Sequence, residues 1–115
     1  MTAEAQKARD AAARVVAVCD VIAQIVAGGK SSFLKDVQAQ WAAEMGLIRI
    51  GEGVAKIPVA IRERFAEQPW RQIIDMRNFA AHQYDDLDPH RVWRTLTIDV
   101  PRLRAYLAEV LVPGV

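Results

Sequence analysis

Residues 70–84 read WRQIIDMRNFAAHQY, and the period of this stretch decides the fold class. Trp70, Ile73, Ile74, Arg77 and Ala81 recur at three- and four-residue steps. That spacing lays them along one stripe of an α-helix and fits no strand, whose faces alternate every second residue. The spacing predicts a helix over about Trp70 to His82. It is followed by Asp85-Asp86-Leu87-Asp88-Pro89, a turn that already contains the next helix start, with Asp88 as N-cap and Pro89 in the first helical position.

Working outward, the same period recurs on both sides. From about Ala3 to Ala27, the positions Val15, Val18/Cys19, Ile22 and Ile25/Val26 repeat at helical steps among alanines, and Gly28-Gly29 stops the run. Lys30-Ser31-Ser32 reads as the connector. A second helix is expected from about Phe33 to Ile57, with Val37, Trp41, Met45, Ile48 and Ala55 on its apolar face. It carries Gly46, Gly51 and Gly53, each costing up to about 1 kcal/mol against alanine. Close helix approach or room for a ligand or partner would compensate, and plain tolerance is the alternative. Pro58 and Pro69 bracket VAIRERFAEQ, a turn or two of helix. After Pro89 a fourth helix is expected through about Ile98. Asp99-Val100-Pro101 punctuates it, and the helix resumes or kinks through Leu103, Leu107, Val110 and Leu111. The expectation is an all-α bundle of four to five helices in a single domain, 1–115.

Composition narrows the function classes. The 115 residues are 52% apolar and 25% charged, which suits a packed core and not a disordered chain. A chain of this mass exposes roughly 6,000 Å² when folded, so one core is within reach without disulfides. The net charge of +1 excludes the strongly basic profile of a protein that holds long nucleic acid by charge alone. One cysteine, Cys19, excludes a disulfide framework and a thiolate zinc site. The polar start, MTAEAQKARD, and the lack of an apolar run of about 18 residues point to a cytoplasmic protein without a membrane span. Arginine outnumbers lysine 11 to 4. Eight of the arginines lie between Arg62 and Arg104, interleaved with acids, as helix-surface ion pairs require.

Three constellations carry chemistry on paper. Gly28-Gly29-Lys30-Ser31 resembles the end of a phosphate-binding loop, but Gln24 stands where that pattern needs glycine and a helix precedes it, so it reads as a helix stop. Asp85, Asp86 and Asp88 offer carboxylates for a hard cation, yet aspartates at turns are common and no metal is expected. Arg77, Asn78, His82 and Tyr84 are the informative set. Asn78 and His82 are i and i+4, so they share a face. Arg77 and His82 are five apart, roughly 140° around the helix. One helix therefore does not converge them on a small target, whereas two copies across a symmetric dimer supply one of each to a shared cleft. A histidine that exchanges a proton near neutrality and an arginine that steadies phosphoryl charge fit phosphodiester cleavage. The plainer alternative is surface and capping groups at a helix end. Trp70 and Trp93 read as packing anchors.

Arg77-Asn78-Phe79-Ala80-Ala81-His82-Gln83-Tyr84 matches the R-x4-H-x-Y motif of the HepT-like toxins, a branch of the HEPN superfamily. Ile50-Gly51-Glu52 resembles that family's I-G-E. Pro69-Trp70 and Val92-Trp93 followed by Asp99-Val100-Pro101-Arg102-Leu103 are similar to its flanking motifs. The resemblance covers about Leu47 to Leu111. It implies a symmetric homodimer with the two motif helices at a shared cleft. It also implies a metal-independent endoribonuclease, without cofactor, acting as the toxin of a type VII HepT–MntA toxin–antitoxin system. Arg77 and His82 carry over as catalytic residues and Asn78 as their polar support. Tyr84 carries over as the tyrosine that an MntA-like nucleotidyltransferase antitoxin modifies with AMP. Glu52 is a supporting residue near the site or partner surface, or an ordinary surface acid. The alternative is a non-catalytic HEPN domain that binds, and is modified by, its nucleotidyltransferase.

Overall fold

A computed structural model describes residues 2–82 and 88–115, apart from the side chains of Phe79, Ala81 and His82. Among the described residues the regular structure is entirely helical, as the periodicity requires. Helix α1 runs Ala3–Ala27, and the Thr2 hydroxyl caps it by accepting from the Ala5 N–H at 3.0 Å. Its buried stripe is Ala5, Ala8, Ala12, Val15, Cys19 and Ile22.

Gly28 ends α1, and Gly29, at φ 89°, takes the left-handed backbone that only glycine adopts cheaply. The chain re-enters helix at once. Lys30–Lys35 forms α2, so the expected connector is the first turn of a short helix that buries Phe33.

The helix expected over Phe33 to Ile57 is divided. Asp36 stands in extended backbone and its carboxylate accepts from the Ala39 N–H at 3.1 Å, capping a new helix, α3, over Val37–Ala55. The apolar face assigned to this region also needs correction. Val37, Trp41 and Met45 are 53%, 67% and 50% exposed. The buried face is Ala43, Gly46, Leu47, Ile50, Gly51 and Val54.

Pro58 introduces α4, Val59–Arg64, and α5 follows over Trp70–His82. Trp70 is the hinge post between them. Its indole N–H donates to the Arg62 and Phe65 carbonyls at 3.1 and 2.9 Å, and its ring meets Tyr106 edge-on at 6.0 Å. Tyr106 in turn donates to the Glu67 carboxylate. Burial first, and that bond second, push the Tyr106 phenol up, while accepting the bond holds Glu67 below its ordinary value. Trp93 packs on Phe33 with ring centroids 5.3 Å apart, so both tryptophans act as anchors.

From Pro89 to Gly114 the backbone is one helical rod, composed of α6 (Pro89–Arg94), α7 (Val100–Tyr106) and α8 (Val112–Gly114) joined by π-helical stretches Thr95–Asp99 and Leu107–Leu111. Asp88 caps it by accepting from the His90 N–H at 3.0 Å, with Pro89 in the first turn as expected. The punctuation expected at Asp99-Val100-Pro101 is a widened turn, through which the helix continues. In each π stretch an N–H reaches back five residues, Val100 to Thr95 and Val112 to Leu107, one residue before a proline. Pro101 and Pro113 lack an N–H and crowd the carbonyl four residues back, and a widened turn accommodates both defects.

Helix α3 lies between α1 and α5, and the C-terminal rod packs along α1. Asp20 and Arg104 join α1 to the rod at 2.6 Å, and Arg104 holds the Asp20 carboxyl below its ordinary range. No helix is long and apolar enough among the described residues to cross a membrane. The accessible surface, 6,928 Å², exceeds the roughly 6,000 Å² typical of the mass, and the exposed stripe of α3 contributes to the excess.

Cys19 is buried in the α1 stripe, and desolvation, with Asp20 beside it, pushes its thiol up to about 11. The folded protein is expected to resist thiol alkylation at mildly alkaline pH and to react at once in denaturant, as a stopped-reagent mass measurement would read. The same shift lowers stability as pH rises from the ordinary thiol range toward 11, because the unfolded chain loses that proton first. Cys19→Ala should flatten this alkaline limb.

Candidate active site

Among the described residues the motif helix packs chiefly on α3, and the two approach closely at Gly51. A Cβ on Gly51 would lie 2.5 Å from the Arg77 Cβ and 3.2 Å from both the Arg77 Cα and its backbone nitrogen. Arg77 is half-buried at this crossing. Its Nε donates to the Asn78 carboxamide oxygen at 3.3 Å. Asn78 is exposed, and so is Glu52, the neighbour of Gly51 on α3.

The structure thus brings together Arg77, Asn78 and Gly51, whereas Glu52 lines a surface groove with Arg14, Val18, Arg49 and Lys56 between α1 and α3. His82 is the last residue of α5, and its side chain lies outside the described set, as does any bond from Asn78 to it. Tyr84, Asp85 and Asp86 also fall outside the described residues. Five residues of helix set His82 about 7.5 Å beyond Arg77 along the axis and roughly 140° around it. Asp88 is occupied as the α6 cap. Among the described residues no three His, Cys, Asp or Glu gather to hold a metal ion. Gly28 to Ser31 is a helix stop and restart, with no loop to cradle phosphate.

The family description "Ribonuclease HepT-like" matches residues 16–110. The chain belongs to the HepT-like ribonuclease family. The match spans α1 from Val16 to the second π stretch, so the Gly51–Arg77 crossing lies well inside it. The HepT-like chain is 30% identical over 94 residues to "Putative RNase TTE0752" of Caldanaerobacter subterraneus subsp. tengcongensis, covering 81% of this chain and 84% of that one. It is 35% identical over 72 residues to "Probable ribonuclease HepT" of Thermococcus cleftensis, covering 63% and 66%. It is 30% identical over 79 residues to "Putative RNase MJ1216" of Methanocaldococcus jannaschii, covering 69% and 65%. No solved structure matches the chain.

Arg77 and Asn78 are singled out by the sequence, and the structure joins them directly by a hydrogen bond. Reasoning from sequence left Gly51 as one of three costly glycines. The signal that separates it lies in space: Gly46 and Gly53 face Ile22 and Val15 of α1, and Gly51 alone faces the motif helix.

Proposed function

We propose that this HepT-like ribonuclease is the toxin of a toxin–antitoxin pair, a metal-independent endoribonuclease whose site is completed in a symmetric homodimer. The observation that carries this reading is the family match across residues 16–110 with R-x4-H-x-Y intact in the sequence from Arg77 to Tyr84. A ribose 2′-hydroxyl attacks the adjacent phosphorus. His82 exchanges the proton, and Arg77 steadies the charge that builds on the phosphoryl oxygens. The bond from phosphorus to the 5′-oxygen breaks, the leaving 5′-oxygen takes a proton, and the products are a 2′,3′-cyclic phosphate and a 5′-hydroxyl end; hydrolysis of the cyclic ester by water gives a 3′-phosphate. Asn78 supports Arg77 through the 3.3 Å bond.

Two features support a second copy. The 140° separation leaves a single motif helix unable to present both groups to one phosphate. The exposed Trp41 and Met45 of α3, with Val21 of α1, form an apolar face of the kind that association covers. The proposed antitoxin is an MntA-like nucleotidyltransferase that places AMP on Tyr84, two residues from His82. The added charge and bulk would compete with RNA phosphate for Arg77.

Purified protein should cleave cellular RNA in the presence of EDTA, and His82→Ala should not. Cleavage that needs a divalent ion, or that survives His82→Ala, contradicts the mechanism. Adenylylation by a nucleotidyltransferase without any cleavage would favour the non-catalytic reading instead.

A further inference from the structure

We infer that Gly51 is a positioning residue for catalysis, fixing where the Arg77 guanidinium stands; this rests on the assignment of Arg77 to the site. Three glycines of α3 meet neighbouring helices, and they differ in what they meet. A Cβ at Gly46 would touch the Ile22 side-chain tip at 3.0 Å, and one at Gly53 would touch a Val15 methyl at 2.6 Å. Both neighbours are side chains on α1. A Cβ at Gly51 would meet the Arg77 Cβ at 2.5 Å with the Arg77 Cα and nitrogen at 3.2 Å behind it. No rotamer change removes that clash, because the obstructing atoms are backbone or bonded to it.

Carbon atoms rest about 3.5–4.0 Å apart, so a methyl group at position 51 moves the motif helix by about 1 Å. Little else resists or guides that movement. Helix α5 packs on α3 and makes no comparable contact with another element among the described residues. Its second tie, Trp70, lies at the far N-terminal end. The bare backbone of Gly51 therefore sets the depth at which Arg77 sits, and the Nε bond to Asn78 sets its direction. Displacement of a catalytic group by about 1 Å can cost roughly 10²-fold in rate.

The test compares Gly51→Ala, Gly53→Ala and Arg77→Ala on a mixed-sequence RNA oligonucleotide that the unaltered protein cleaves. Thermal midpoints are measured beside kcat and KM. Gly51→Ala and Gly53→Ala each introduce a clash in one helix, and Gly51→Ala, whose clash is with backbone-bonded atoms, should lose at least as much stability as Gly53→Ala. Gly51→Ala should lose about 10²-fold in kcat with KM held, and Gly53→Ala should keep both. Unaltered kcat in folded Gly51→Ala, with Arg77→Ala inactive, overturns the inference and leaves the site assignment standing. An equal kcat loss in Gly53→Ala overturns it too, by making the effect one of general loosening. Full activity in Arg77→Ala overturns the assignment itself. If Gly51→Ala does not fold in buffer alone, all proteins are assayed in trimethylamine oxide, which favours the compact state, with far-ultraviolet dichroism confirming helix.

Discussion

Arg77→Ala is expected to lower kcat for RNA cleavage by about 10²–10³-fold, the range seen when one donor to a developing oxyanion is removed. The fold should survive. Alanine keeps the Cβ that touches Gly51, and what is lost is a half-buried stem and the bond to Asn78. The thermal midpoint should therefore move by only a few degrees, the response to a change of about 1 kcal/mol. The kinetic pattern separates two roles. If the guanidinium acts mainly on charge that appears in the transition state, kcat and kcat/KM fall together. If it merely holds RNA, KM rises and kcat stays. Arg77→Lys keeps a charge but loses the planar fork and the Nε donor, so it should recover only part of the rate. Wild-type kcat in Arg77→Ala would remove Arg77 from the chemistry, and wild-type kcat in Arg77→Lys would show that the charge suffices without the fork.

The helical class was legible because apolar residues recur at helical steps from Ala3 onward, and the caps at Asp88-Pro89 and Gly28 mark ends by local rules. The division at Asp36 was missed because Val37, Trp41, Met45 and Ile48 continue a plausible stripe past it. That stripe is a second apolar face. The buried face uses Ala43, Gly46 and Gly51, whose burial comes from close approach and not from large side chains, so hydrophobicity alone ranked the two faces the wrong way round. The punctuation expected at Pro101 takes the form of a π turn in a helix that continues. A proline forbids one hydrogen bond, and a π turn accommodates that without ending the helix. At the candidate site, Arg77 and Asn78 stand out in the sequence by residue type, and the structure joins them by one hydrogen bond. The role of Gly51 was not legible, since it depends on which helix crosses at that point.

Trp70→Ala carries the largest expected loss of stability, about 3–5 kcal/mol, the usual cost of truncating a buried aromatic residue to alanine. Trp70 is 7% exposed. It fills the corner where α4 ends, α5 begins and the rod passes at Tyr106, and its indole N–H serves two carbonyls. Against a typical total of about 5–15 kcal/mol for a domain, that loss is a large fraction. Urea denaturation should show a lower midpoint with an unchanged m value if the native state keeps its extent. Trp70→Phe separates the two contributions. It keeps a six-membered ring against Tyr106 and removes the donor together with part of the indole volume. The Arg62 and Phe65 carbonyls retain backbone partners in Phe65 and Gln68, so the donor contributes about 1 kcal/mol of the loss and the lost volume the rest, well short of Trp70→Ala. The functional consequence follows from distance. Seven residues, about 10 Å of helix, separate Trp70 from Arg77, and Gly51 holds α5 independently at the nearer point. Folded Trp70→Phe should therefore keep the kcat of the unaltered protein. A loss of rate in that variant matching the loss in Gly51→Ala would mean that α5 is positioned as one rigid rod from its N-terminus, and not locally at the Gly51 crossing.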